Sequence, residues 1–100
     1  MWKVTYTKQV EKEISRLILN KKLTEYDLEI IDFWISIIEE KGPEELDNYK
    51  IFKDHKLRNE WEGFRSSSFS ISGRIIYKLH KKKILIKIIK VTTNHNYKRD

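Results

Sequence analysis

The stretch FRSSSFSISGRIIYKLHKKKILIKIIKVT, residues Phe64 to Thr92, decides the fold. Its pattern has a period of two from Phe64 to Phe69 and again from Arg74 to Leu79, with Ser70-Ile71-Ser72-Gly73 between the two runs. Alternation marks strands with one buried face, and the Ser/Gly cluster marks a turn, so these residues read as a β-hairpin. A second turn at Lys81-Lys82 leads into Ile84 to Thr92, which is apolar on both faces and reads as a buried inner strand. If the tight turn centres between Ile71 and Ser72, Arg65 stands opposite Lys78 and Phe69 opposite Arg74, while the other face pairs Phe64 with Leu79 and Ser66 with Tyr77. On that register Arg65, Arg74 and Lys78 share a face turned away from the core, where two arginines make a phosphate-sized positive site. A slip of one residue swaps the faces.

Upstream, Trp2 to Thr7 alternates apolar and polar residues and reads as a first strand. Thr7 can cap a helix from Lys8 to about Asn20, whose apolar positions Val10, Ile14, Leu17 and Ile18 lie on one side. Thr24, with Asp27 three residues on, caps a second helix whose stripe is Leu23, Ile30, Ile31, Trp34, Ile37 and Ile38, and Gly42-Pro43 ends it. Residues Glu44 to Glu60 are polar and irregular, and they hold the pair Asp54-His55 in the kind of loop where function often resides. The expected fold is α+β: one domain over residues 1–100, with two N-terminal helices packed on one face of a four-stranded, mainly antiparallel sheet. The opposite face is left for a ligand, and strand order stays open.

Composition narrows the chemistry. At 100 residues with 39% apolar content, the chain forms one small core. It has no cysteine, and its three histidines are far apart in sequence, so a metal-free, cofactor-free protein is the simplest expectation. The amino terminus lacks an apolar signal region, and the most apolar window, Ile30 to Ile38, is interrupted by Asp32 and Ser36; a cytoplasmic protein off the membrane is expected. Residues 1–50 hold 8 Lys/Arg against 11 Asp/Glu, whereas residues 51–100 hold 13 against 4. A basic half carrying aromatics suits a polyanion, although lysine surplus also accompanies AT-rich genomes and then means only a solvated surface.

Cutting RNA without a metal uses the 2′-hydroxyl as nucleophile. The site needs a proton acceptor there, a donor at the leaving 5′-oxygen and cations on the phosphoryl oxygens. The second half supplies these: His55 and His95 as the acid–base pair, Arg65 and Arg74 for the phosphate, and Tyr97 to stack or orient a nucleotide. Lys53, Lys56, Lys78, Lys81, Lys82 and Lys90 are the candidate RNA-binding cations. Each assignment has a plainer rival. His55 could be simply exposed, and His80 solvated beside its lysines; His95 could sit in a frayed terminus, and Arg65 and Arg74 could pair with Asp54, Glu60 or Glu62. Trp2, Trp34, Trp61 and Tyr77 read as core.

This order of elements, with His55, Arg65, Arg74, Tyr77 and a terminal His-x-Tyr, resembles the RelE superfamily of bacterial toxin–antitoxin systems. The nearest branch is the YafQ type, whose Asp-His-x-Leu motif is matched by Asp54-His55-Lys56-Leu57, followed by Trp61, Gly63, Arg65 and Ile76-Tyr77. The resemblance implies a ribosome-dependent endoribonuclease that cuts mRNA in the decoding site and is silenced by a cognate antitoxin. YafQ-type members carry an acidic residue, a histidine and an aspartate where this chain has Ser66, Ser68 and Ser72, so those acid–base groups do not carry over. Arg74, in Arg-x-x-Tyr, and Lys90 look like the basic residues of the RelE-type branch, and His95-Asn96-Tyr97 is closer to the YoeB type. Two other outcomes fit the same chain: a ParE-like toxin that inhibits DNA gyrase by binding, and a non-catalytic RNA-binding module.

Overall fold

The computed structural model describes residues 1–83 and 85–93. Strand β1 (Lys3–Tyr6) leads into helix α1 (Lys8–Leu19) and helix α2 (Glu25–Lys41). Strands β2 (His55–Lys56), β3 (Arg65–Ser68), β4 (Arg74–His80) and β5 (Leu85–Thr92) complete the chain order. Local chemistry starts both helices. The Thr7 hydroxyl accepts from the Val10 N–H at 3.1 Å, and Thr24 and Asp27 form a reciprocal capping box with both bonds at 3.0 Å. Gly42, at φ 94°, ends α2 with its N–H on the Ile38 carbonyl at 2.8 Å, in a conformation that side chains rarely adopt.

The helices cover one face of a sheet ordered β1-β5-β4-β3-β2, in which β1 runs parallel to β5 and the other pairings are antiparallel. The α+β arrangement expected from the sequence is present, and β5 is an inner strand as its two-sided apolar pattern requires. The sheet gains a fifth member, the two-residue β2, from within the stretch read as irregular. The rest of that stretch forms 3₁₀ turns at Pro43–Asn48, Lys50–Phe52 and Asn59–Trp61, and Leu46, Phe52 and Leu57 anchor it by burial. Between helices and sheet lies a core of Val10, Ile31, Trp34, Ile38, Ile75, Tyr77 and Val91, with Trp2 half-buried against it.

The hairpin differs from the expected register by one residue. Its connection is a three-residue loop, Ser70-Ile71-Ser72, closed by the Phe69 N–H on the Gly73 carbonyl at 3.1 Å. The Gly73 N–H also donates to the Ser70 hydroxyl at 2.9 Å. A Cβ on Gly73 would lie 2.5 Å from the Phe69 ring, so the close approach that sets this turn requires glycine. Arg65 therefore stands opposite Tyr77, Ser66 opposite Ile76, Ser67 opposite Ile75 and Ser68 opposite Arg74. The period of two then puts Arg65, Ser67, Ile75, Tyr77 and Leu79 on the helix side, and Phe64, Ser66, Ser68, Arg74, Ile76 and Lys78 on the other. Arg65 and Arg74 do not share a face, which overturns the two-arginine phosphate site expected from the tighter turn.

Candidate functional site

On the helix side, the sheet carries a buried polar network centred on Asp54. Its carboxylate is 2% exposed. One oxygen accepts from the Arg65 guanidinium, at 2.7 Å from Nη2 and 3.0 Å from Nε. The other accepts from the Ser67 hydroxyl at 2.6 Å and the Tyr77 hydroxyl at 2.5 Å. Ser67 in turn accepts from the Trp34 indole N–H at 2.9 Å, and the Trp34 and Tyr77 rings meet edge to face at 5.1 Å. A buried charge is tolerated only when paired and fully hydrogen-bonded, and Asp54 meets both conditions. Burial opposes the Arg65 charge, but the hydrogen bond and charge of Asp54 outweigh it and raise the guanidinium pKa above its ordinary value. The Tyr77 hydroxyl is pushed far above the ordinary phenol range by burial first and by the Asp54 charge second. Of the rival readings of Arg65, ion pairing with Asp54 is the one observed.

On the other side, His55 in β2 stands directly across from Ser66 in β3, which faces Ile76 in β4, which faces Lys90 in β5. A second row runs Ser68, Arg74 and Thr92. Two residues along a strand and two strands across put the His55 and Arg74 backbones about 12 Å apart. His55 is exposed, and its Nδ1 lies 2.8 Å from the Lys53 carbonyl. Arg74 is half-buried, and its Nη1 donates to the carbonyls of Ile71 and Gly73 at 3.2 and 2.8 Å, which leans the guanidinium over the hairpin loop. Lys78 is exposed, with Nζ 5.4 Å from the centre of the Phe64 ring. The centre of this face is closed rather than open: Ser66 and Ile76 are fully buried, and the charged side chains form its rim.

The remaining candidates scatter. Lys90 reaches Glu13 of α1 at 3.5 Å, and the same carboxylate accepts from the Val91 N–H at 3.2 Å. Lys56 lies opposite Arg65, and with Lys81 and Arg58 it lines a groove of ≈ 940 Å³ that also takes in Glu44, Asp47 and Glu62. Lys53 and Lys82 are exposed. Ser72 donates to the Thr93 carbonyl at 2.8 Å, and Ser68 is buried opposite Arg74. His95 and Tyr97 lie outside the described residues. Sequence reasoning missed Ser67 and the indole N–H of Trp34; the hairpin register, had it been readable, would have put Ser67 beside Asp54's other partners.

No protein-family profile matches the chain, and no curated protein does. Solved structures do. YafQ from Escherichia coli BL21(DE3) superposes with a TM-score of 0.73 at 20% identity, over 95% of this chain and 96% of that one. The chain has the fold of YafQ. The same fold appears in the DinJ–YafQ toxin–antitoxin complex of E. coli (TM-score 0.67, 20% identity, 90% and 89% of the two chains). It appears again in the YoeB–YefM complex of Staphylococcus aureus (0.67, 18%, 92% and 95%). Among the described residues, no helix is long and apolar enough to cross a membrane.

Proposed function

We propose that this protein is the toxin of a type II toxin–antitoxin system and a ribosome-dependent mRNA endoribonuclease. The observation that carries the reading is the rim of the face away from the helices, where His55, Arg74 and Lys78 stand around a closed centre of Ser66 and Ile76. His55 takes or gives a proton at the 2′-hydroxyl or the leaving 5′-oxygen, and Arg74 neutralises the phosphoryl oxygens as charge develops. His95 is the second member of the acid–base pair and Tyr97 the stacking group, both assigned from the sequence. Lys53, Lys78, Lys81 and Lys82 supply the sequence-independent attraction to RNA, while Lys56 and Lys90 act from the margins. Arg65 serves the site indirectly, through Asp54. The cognate antitoxin is the protein partner; the YafQ and YoeB structures solved as complexes support this.

Single-turnover cleavage of a programmed ribosome, with end-group analysis of the products, tests the reading. A 2′,3′-cyclic phosphate is expected, because attack by the 2′-hydroxyl forms it. Pulse labelling after expression without antitoxin supplies the second arm. Arrest of protein synthesis is expected, and arrest of DNA synthesis with continuing translation would replace this reading with gyrase inhibition.

A further inference from the structure

Lys53 has a left-handed backbone, φ 45° and ψ 43°, which costs a side-chain-bearing residue energy and persists only where its surroundings force it. Those surroundings are identifiable. Phe52 on one side is fully buried in the core, and Asp54 on the other is clamped by Arg65, Ser67 and Tyr77. Pinned at both neighbours, Lys53 turns its carbonyl to within 2.8 Å of the His55 Nδ1. A carbonyl only accepts, so Nδ1 carries the proton and the neutral ring keeps its lone pair on Nε2. Pairing of His55 with Ser66, and of the Leu57 N–H with the Phe64 carbonyl at 2.9 Å, holds the rest of the segment to β3.

We propose that Asp54 is the positioning residue for His55: its buried network with Arg65, Ser67 and Tyr77 locks the Lys53–His55 turn and so holds the imidazole in the Nδ1–H tautomer, with Nε2 as the proton acceptor. The catalytic consequence rests on the cleavage reading above; the tautomer does not. Asp54 reaches no substrate. It acts through the backbone, and Arg65 acts through Asp54.

The test is long-range proton–nitrogen NMR of the imidazoles in 15N-labelled protein at mildly alkaline pH, with His55→Gln to assign the signals. Wild-type His55 should show the proton on Nδ1. Asp54→Asn keeps the shape and the acceptor for Ser67 or Tyr77 but breaks the Arg65 clamp. It should move His55 towards the Nε2–H form and slow single-turnover cleavage roughly tenfold or more, with RNA affinity retained. Tyr77→Phe, which leaves the charge pair intact, should produce a smaller shift in the same direction and serves if the Asn variant does not fold. A wild-type Nε2–H tautomer, or a folded variant with unchanged His55 signals, would overturn the positioning role. The expected tautomer in a wild-type protein that leaves mRNA intact would instead sink the cleavage reading and leave this one standing.

Discussion

The two faces of the β3–β4 hairpin hold the same kinds of residue to opposite ends. On the helix side, Arg65 meets a carboxylate that is 2% exposed, and both oxygens of that carboxylate accept hydrogen bonds. On the other side, the partners of Arg74 among the described residues are carbonyls of the hairpin connection, and its neighbours Lys78 and His55 are exposed. A guanidinium bound to a buried carboxylate has its charge matched and its fork occupied. One resting on neutral carbonyls still has charge to offer a phosphate. Residue type alone therefore does not separate the two arginines; the face does.

The largest expected effect belongs to the open side. His55→Ala should slow single-turnover cleavage by roughly a hundredfold or more with RNA binding retained, as expected for a lost proton-transfer group. A wild-type rate would remove His55 from the chemistry. Arg74→Ala should cost about a hundredfold in the same assay, and Arg74→Lys should recover only part of it, because an ammonium cannot reproduce the fork. Should Arg74→Ala cut normally while Arg65→Ala is folded and inactive, the contrast between the faces is reversed.

Arg65→Ala should act first on stability, and on cleavage only indirectly, by loosening the Asp54 clamp on the His55 turn. Removing one partner of a buried pair strands the Asp54 charge, and about 3 kcal/mol of folding free energy should go, the low end of the usual range because the Arg65 side chain is 25% exposed. Urea unfolding measures it. Tyr77→Phe should cost about 1–2 kcal/mol through the lost bond to Asp54. It should also change the alkaline limb. Because the folded Tyr77 hydroxyl holds its proton well above the ordinary phenol pKa, its stabilisation is complete below about pH 10 and is lost as pH rises further, when only the unfolded chain releases the proton. Wild-type stability should thus fall more steeply than that of Tyr77→Phe above about pH 10, and parallel curves would refute the burial of that hydroxyl. The smallest effect is that of Lys78→Ala, which should reduce the salt slope of RNA binding by about 0.7 if Lys78 contacts one phosphate.

Much of this was legible in the residues. Both helix caps at Thr7 and Thr24, the stop at Gly42, the hairpin and the inner position of β5 follow from patterns a few residues long. Periodicity and capping are local, so a short window contains all the physics they need. The candidate roles of His55 and Arg74 were legible as chemistry, and so was the pairing of Arg65 with Asp54 as one of several partners.

The hairpin register was decided elsewhere. A two-residue and a three-residue loop both suit Ser70-Ile71-Ser72-Gly73. The choice fell to the Phe69 ring, whose burial in the core leaves no room for a Cβ at Gly73. From that one-residue difference come the side that Arg65 takes and the nearness of Ser67 to Asp54. The partners of Asp54 lie 11, 13 and 23 positions away, so no local pattern connects them. The sequence by itself determined which elements form and what chemistry they can offer. Only the tertiary structure decided which arginine is held by a buried carboxylate and which rests on backbone carbonyls, because that depends on which side chains a closed core brings together.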